Sequence, residues 1–170
     1  EENRALYADQ NEQYWYTCIS PRVPYPTLHL EDTLVSARLM PWMQAEYNVV
    51  GNLYWATNLY AAFDNMTETY QGLDDYFSNP ERTPRVNGDG FLFYPGGQYG
   101  MTEPIVSMRL EALRDGFEEY ELLYALKEKY AEISAEAECD FDAISAIESL
   151  RGLLYTGTRV SGNSALLQQA

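Results

Sequence analysis

With 170 residues the chain is long enough for one hydrophobic core but falls short of a complete eight-stranded α/β barrel, which takes about 250. Its 26 Asp and Glu against 11 Lys and Arg give a formal net charge of −15. That balance repels phosphate backbones and anionic lipid headgroups, so nucleic acid and membrane surfaces are poor expected partners. No apolar run reaches 18 residues, so no membrane insertion is expected.

Residues 1–13 are polar and read as a helix end running into a loop. The segment Tyr14–Ile19 follows as a first strand, uniformly apolar and aromatic, which suits a strand covered on both faces in a parallel sheet. A Pro-rich loop, Pro21-Arg22-Val23-Pro24-Tyr25-Pro26, leads to His29, the sole histidine, which reads as a surface residue at that place. Asp32 is placed to cap a helix from Thr33 to Tyr47, on which Leu34, Arg38, Leu39, Trp42 and Met43 recur at helical spacing. Pro41 within it predicts a kink or a break.

A second inner strand, Val49–Ala56, opens into a long polar excursion reaching Asn87, a length that marks a functional or partly disordered connection. Asn65-Met66-Thr67 in it matches a glycosylation sequon, a pattern short enough to arise by chance. The turn signal Asn87-Gly88-Asp89-Gly90 precedes a third strand over Gly90–Pro95. A long helix spans Val106 to Ala131, its stripe of Leu110, Leu113, Phe117, Tyr120 and Tyr124 expected to lie on the sheet. Phe141–Leu154 reads as an amphipathic helix and Ser161–Ala170 as a weak terminal one.

Several words in this order resemble the catalytic domain of family 123 glycoside hydrolases. They are Trp15–Pro21, Ala37–Met43, Gly51–Asn58, Gly88–Gly96 and Arg109–Glu121, and together they span nearly all of residues 14–124. The resemblance implies an α/β fold, the C-terminal part of a TIM-like (β/α)8 barrel with about its sixth to eighth strands and their helices. On that reading residues 1–135 belong to the barrel, and residues 136–170 are terminal helices packing on it. It implies release of terminal β-linked N-acetylgalactosamine from a glycan or glycoconjugate, with the substrate's own acetamido oxygen as nucleophile. An adjacent Asp-Glu pair supplies the two protein roles, Asp orienting the acetamido group and Glu acting as acid and then base. No Asp-Glu dipeptide in that order occurs in the 170 residues. The pair is therefore expected upstream, the chain to be a fragment that is inactive by itself, and any export signal for a periplasmic or extracellular bacterial enzyme to lie upstream as well.

The residues expected to serve the sugar cluster at strand ends. Trp55 can stack under a pyranose with Asn58 reaching its hydroxyls, Tyr94 can donate through its hydroxyl, and Tyr16 stands on the first strand opposite in direction to Trp15. Asp89 between two glycines reads either as a sugar acceptor or as a turn former. Trp55 reads equally as a packing residue filling a barrel layer, and for Tyr16 and Trp15 packing is the favoured reading. Arg109, Arg114, Asp115 and Glu118 read as ion pairs holding the helix to the barrel. No metal site and no cofactor are expected, since Cys18 and Cys139 have no Cys/His zinc spacing around them and Cys18 reads as a buried, inert thiol. The sheet would have open edges, to be covered by the rest of the barrel or by a second copy. Two other readings stay open: a noncatalytic carbohydrate-binding domain and a purely structural segment.

Overall fold

A parallel pair of strands and the helix that joins them form the centre of the computed structural model, which describes residues 12–64, 69–72, 81–83, 86–138 and 140–161. Strand β1 (Gln13–Thr17) pairs in parallel with β2 (Val49–Tyr54), with Tyr14 opposite Gly51, Tyr16 opposite Leu53 and Thr17 opposite Tyr54. Helix α1 (Leu34–Glu46) makes the crossover, as parallel neighbours require. Alternation along the strands divides their side chains between two faces. Trp15 packs with Leu39, Trp42 and Met43 of α1, and Tyr54 packs with the cluster of Leu28, Ala37, Met40 and Leu92. Tyr14, Tyr16 and Leu53 stand exposed on the other face.

Thr33, not Asp32, occupies the N-cap of α1, and it makes no side-chain cap bond. Asp32 instead turns toward His29, whose Nδ1 lies 3.8 Å from its Oδ2. His29 is buried, not on the surface, with Nε2 2.7 Å from the Cys18 carbonyl oxygen. Cys18 is half-buried with a free thiol; Cys139 lies outside the described residues. Pro41 sits inside α1, which runs on unbroken.

Past β2, two short antiparallel pairs follow, β3 (Ala61–Asp64) with β4 (Thr69–Gly72) and β5 (Glu81–Thr83) with β6 (Val86–Asn87). The sequon at Asn65–Thr67 lies outside the described residues, as do most of residues 1–13 and of the terminal segment Ser161–Ala170. The expected third inner strand differs in length and partner. Only Phe93–Tyr94 is extended as β7, and it pairs antiparallel with β8 (Ile105–Val106). The reason is local: Gly88 and Gly90 both take left-handed φ, and the amides of Leu92 and Phe93 both donate to the Thr57 carbonyl at 2.8 and 3.1 Å. The segment is thereby bound to the loop after β2. A 3-10 turn, Gly96–Tyr99, separates β7 from β8.

Helix α2 runs from Met108 to Glu136, five residues beyond the expected end, and packs on α1 through a narrow face that includes Ala112 and Gly116. At Gly116 a methyl group would run into the Arg38 carbonyl, so the absence of a side chain lets the two backbones meet. Arg38 donates Nε to Glu119 at 2.8 Å and Trp42 donates Nε1 to the same carboxylate at 3.1 Å. Those bonds tie the helices together. Arg114, expected to help hold the helix to the barrel, pairs within α2, with Glu111, Asp115 and Glu118, in solvent. Of the expected apolar stripe, Leu110 and Leu113 reach the core while Phe117 and Tyr124 are exposed. Helix α3 (Ala143–Leu154), capped by Asp142 through the amides of Ile144 and Ser145, buries Ala143, Ile147 and Leu154; Leu154 joins Leu39, Trp42 and Met43. The hairpin of β9 (Tyr155–Thr156) and β10 (Arg159–Val160) closes the described chain.

Candidate functional site

Strand β2 ends at Tyr54, and the backbone leaves the sheet so that two consecutive aromatic residues reach one acceptor. The Tyr54 hydroxyl donates to Asp89 Oδ1 at 3.0 Å, and Trp55 Nε1 donates to the same oxygen at 3.1 Å. Inside a regular strand neighbouring side chains point to opposite faces, so this convergence exists only because the strand stops there. The Tyr54 oxygen in turn accepts the Gly90 amide at 2.8 Å. Backbone bonds lock the two loops side by side: Leu59 N–H donates to the Gly90 carbonyl at 2.9 Å, and Asn58 bridges Phe91.

Asp89 is wholly buried, and its Oδ2 has no hydrogen-bond partner among the described residues. Burial raises the Tyr54 hydroxyl far above its usual range, and the Asp89 charge adds to the rise. Tyr54 is therefore a neutral donor at every physiological pH. Trp55 keeps 36% of its surface open, with one ring edge packed so closely over Gly90 that a Cβ there would lie 2.6 Å from Cζ2. Only glycine fits at that point, where φ is also left-handed.

Arg109 anchors the turn from below. Its Nη1 donates to the carbonyls of Leu28 and Gly88 and its Nη2 to that of Phe91, the last two at 2.7 Å. Among the described residues its side chain forms no ion pair of the kind expected from sequence; it satisfies three main-chain acceptors while its guanidinium lies 5.5 Å from the Phe91 ring centre. Burial pulls its pKa down, and the nearby Tyr94, Tyr54 and Asp89 hold it up.

Of the five expected sugar-contacting residues, Trp55, Asp89 and Asn58 are brought together, with Asn58 exposed and Asp89 enclosed. Tyr16 stands 54% exposed on the open face of β1; desolvation, then Cys18 and Asp89, raise its hydroxyl. It also lines a 280 Å³ cavity with Tyr14, Trp15 and Tyr25. Tyr94 is apart from this group, buried edge-on against Phe91 with ring centres 5.5 Å apart, where it helps hold the Arg109 pKa up. Tyr54 and Arg109 are the members that sequence reasoning missed as parts of one constellation. The adjacency of two aromatics at a strand end was a usable signal for Tyr54. Arg109 had none, since its acceptors are main-chain atoms 18 to 81 residues away. Among the described residues no group of three or more His, Cys, Asp or Glu is placed to hold a metal ion.

This arrangement offers a fixed, partly open aromatic surface with amide and hydroxyl groups around it, suited to a polar ligand with apolar faces. The one carboxylate in it, Asp89, is enclosed and accepts two donors on a single oxygen. No curated protein matches the chain. The model of one family, glycoside hydrolase 123, catalytic domain, matches residues 2–126, from before β1 into α2 and across every residue of the constellation. With well over half of its residues matched, the chain belongs to the catalytic-domain family of glycoside hydrolase 123.

Proposed function

We propose that the chain forms the sugar-binding wall of a β-N-acetylhexosaminidase-type glycoside hydrolase that releases terminal β-linked N-acetylgalactosamine with retention. In this reading β1, α1 and β2 are a parallel unit of a TIM-like barrel, and Trp55, at the carboxyl end of β2, lies where such barrels carry their chemistry. The observation that carries the reading is the Trp55 ring, pinned by a buried carboxylate at Nε1 and open over a third of its surface. A pyranose presents a C–H face that stacks on such a ring, and Asn58 and Tyr16 are exposed polar tips within the same family-matched region.

The reaction would proceed with the substrate's acetamido oxygen attacking the anomeric carbon as the glycosidic oxygen takes a proton from a carboxylic acid. Water then opens the cyclic intermediate with that residue acting as base. Neither carboxylate comes from the Asp89 constellation, and no Asp-Glu dipeptide is present in the 170 residues, so the acid/base is assigned to residues outside them. The test is kinetic, on the full-length protein with a chromogenic β-N-acetylgalactosaminide. Trp55→Ala should lower kcat/KM by one to two orders of magnitude, about 1.4 to 2.7 kcal/mol at the transition state. Unchanged kinetics in a folded variant would remove Trp55 from the site. Sugar binding without hydrolysis by the full-length protein would favour the noncatalytic carbohydrate-binding reading.

A further inference from the structure

We infer that Asp89 is a positioning residue, acting on the sugar only through Trp55, whose indole it holds at Nε1, and making no contact with the ligand itself. The inference rests on the reading of Trp55 as the sugar platform. Asp89 is fully buried and its Oδ1 already takes two hydrogen bonds, from Trp55 at 3.1 Å and Tyr54 at 3.0 Å. A carboxylate in that position cannot rotate toward a ligand on the open side of the indole without giving up both donors.

The surroundings are built to hold it there. Gly88 and Gly90, both with left-handed φ, form the turn that carries Asp89, and the Gly90 amide bonds the Tyr54 oxygen at 2.8 Å. Arg109 fastens the turn through the Gly88 and Phe91 carbonyls and places a positive charge near the carboxylate without a hydrogen bond to it. The buried side chain is thus held in place by two donors on Oδ1, with the Arg109 charge nearby. The indole, held at Nε1 and backed by Gly90, loses the side-chain rotation that would otherwise have to be frozen when a sugar stacks on it.

Two measurements on the full-length protein test this. The first is hydrogen exchange of the Trp55 indole N–H, followed by NMR and assigned by its loss in Trp55→Phe. Asp89→Ala should speed exchange by about tenfold or more, whereas Asp89→Asn, whose amide oxygen accepts the same bonds, should stay close to wild type. The second is affinity for N-acetylgalactosamine, with an expected loss of about tenfold in Asp89→Ala, near-wild-type binding in Asp89→Asn, and no added loss when Asp89→Ala is placed in a Trp55→Ala background.

Asp89→Asn binding as weakly as Asp89→Ala would overturn the proposal, because the negative charge would then be acting on the ligand. A further loss in the Trp55→Ala background would overturn it as well. Unchanged indole exchange in Asp89→Ala would dispose of the hold itself. Wild-type affinity in Trp55→Ala, with faster exchange in Asp89→Ala, would leave the hold standing but remove the platform reading and with it any action on the sugar. Should Asp89→Ala fail to fold, Asp89→Asn decides alone: retained protection with retained affinity supports the proposal, and retained protection with a tenfold loss of affinity defeats it.

Discussion

Arg109 stabilises this fold through main-chain acceptors. Three carbonyls, of Leu28, Gly88 and Phe91, converge on one guanidinium in the interior, and a buried acceptor left without a donor costs about 1 to 3 kcal/mol. Arg109→Met should therefore lower unfolding free energy by on the order of 3 kcal/mol or more, a large share of the 5 to 15 kcal/mol typical of a domain. Arg109→Lys should recover only part of it, since an ammonium lacks the planar fork. Urea unfolding of the two variants measures this, and equal midpoints with wild type would contradict it. Asp32 supplies the pH dependence. Burial, the larger cause, and Glu31 raise its pKa above the ordinary 3.8, against the opposing pull of His29 and Arg22. In the window from 3.8 up to the raised value the folded state binds more protons than the unfolded one, so stability falls as pH rises. The penalty is absent below that window and full above it. Asp32→Asn should flatten this slope and be at least as stable as wild type near pH 7, measured as urea midpoints from pH 4 to 7. At this scale the sequence was legible where a residue sets its own backbone, as Gly88 and Gly90 do with left-handed φ in the Gly-Asp-Gly turn. It was opaque where partners are distant main-chain atoms, as for Arg109, or where a Pro-rich loop folds inward and buries His29.

Between elements, the decisive contact is the crossing of α1 and α2, and its closest point is made by small residues of α2, Ala112 and Gly116. Gly in an exposed helix interior costs about 1 kcal/mol relative to Ala, so Gly→Ala normally stabilises. At Gly116 the sign should reverse: the new methyl meets the Arg38 backbone carbonyl, which cannot swing away as a side chain would, and overpacking costs about 1 to 3 kcal/mol. Gly116→Ala should thus be net destabilising, by roughly 1 to 2 kcal/mol, and thermal unfolding followed by circular dichroism would read a lower midpoint. A higher midpoint would mean that the helices separate at little cost. This crossing also explains why periodicity gave the position of α2 but not its orientation. Leu110, Leu113, Phe117, Tyr120 and Tyr124 form a stripe at helical spacing, yet Phe117 and Tyr124 stand in solvent while Ala112 and Gly116 are buried. Small residues allow close backbone approach and add little to a hydrophobic pattern. The third inner strand was misjudged for a similar reason. Its composition suits a strand, but left-handed glycines and the shared Thr57 carbonyl bind it to the loop after β2 before it can extend.

For the molecule as a whole, parallel strands ask for cover on both faces, and among the described residues one face is left open. Helix α1 covers Trp15 and Tyr54, while Tyr14, Tyr16 and Leu53 point the other way and are exposed. In the barrel reading that face is the interior, filled by strands beyond the described residues. If so, the 170-residue chain produced alone should associate with itself through this face. Its charge of −15 opposes association, but at about 0.15 M salt the screening length is near 8 Å, so contacts between apolar side chains should prevail. Burying one leucine contributes about 1.5 kcal/mol or more, so Leu53→Lys should weaken self-association by at least about tenfold. Its position on the open face should leave the packing against α1 intact. Sedimentation equilibrium across a concentration series measures both effects. A chain that stays monomeric with Leu53 in place would mean that its own residues cover the face, and the barrel interior would no longer account for those aromatics. Association relieved by Leu53→Lys would instead give the bare face a physical reason, that of a surface shaped to be covered by more of the same sheet.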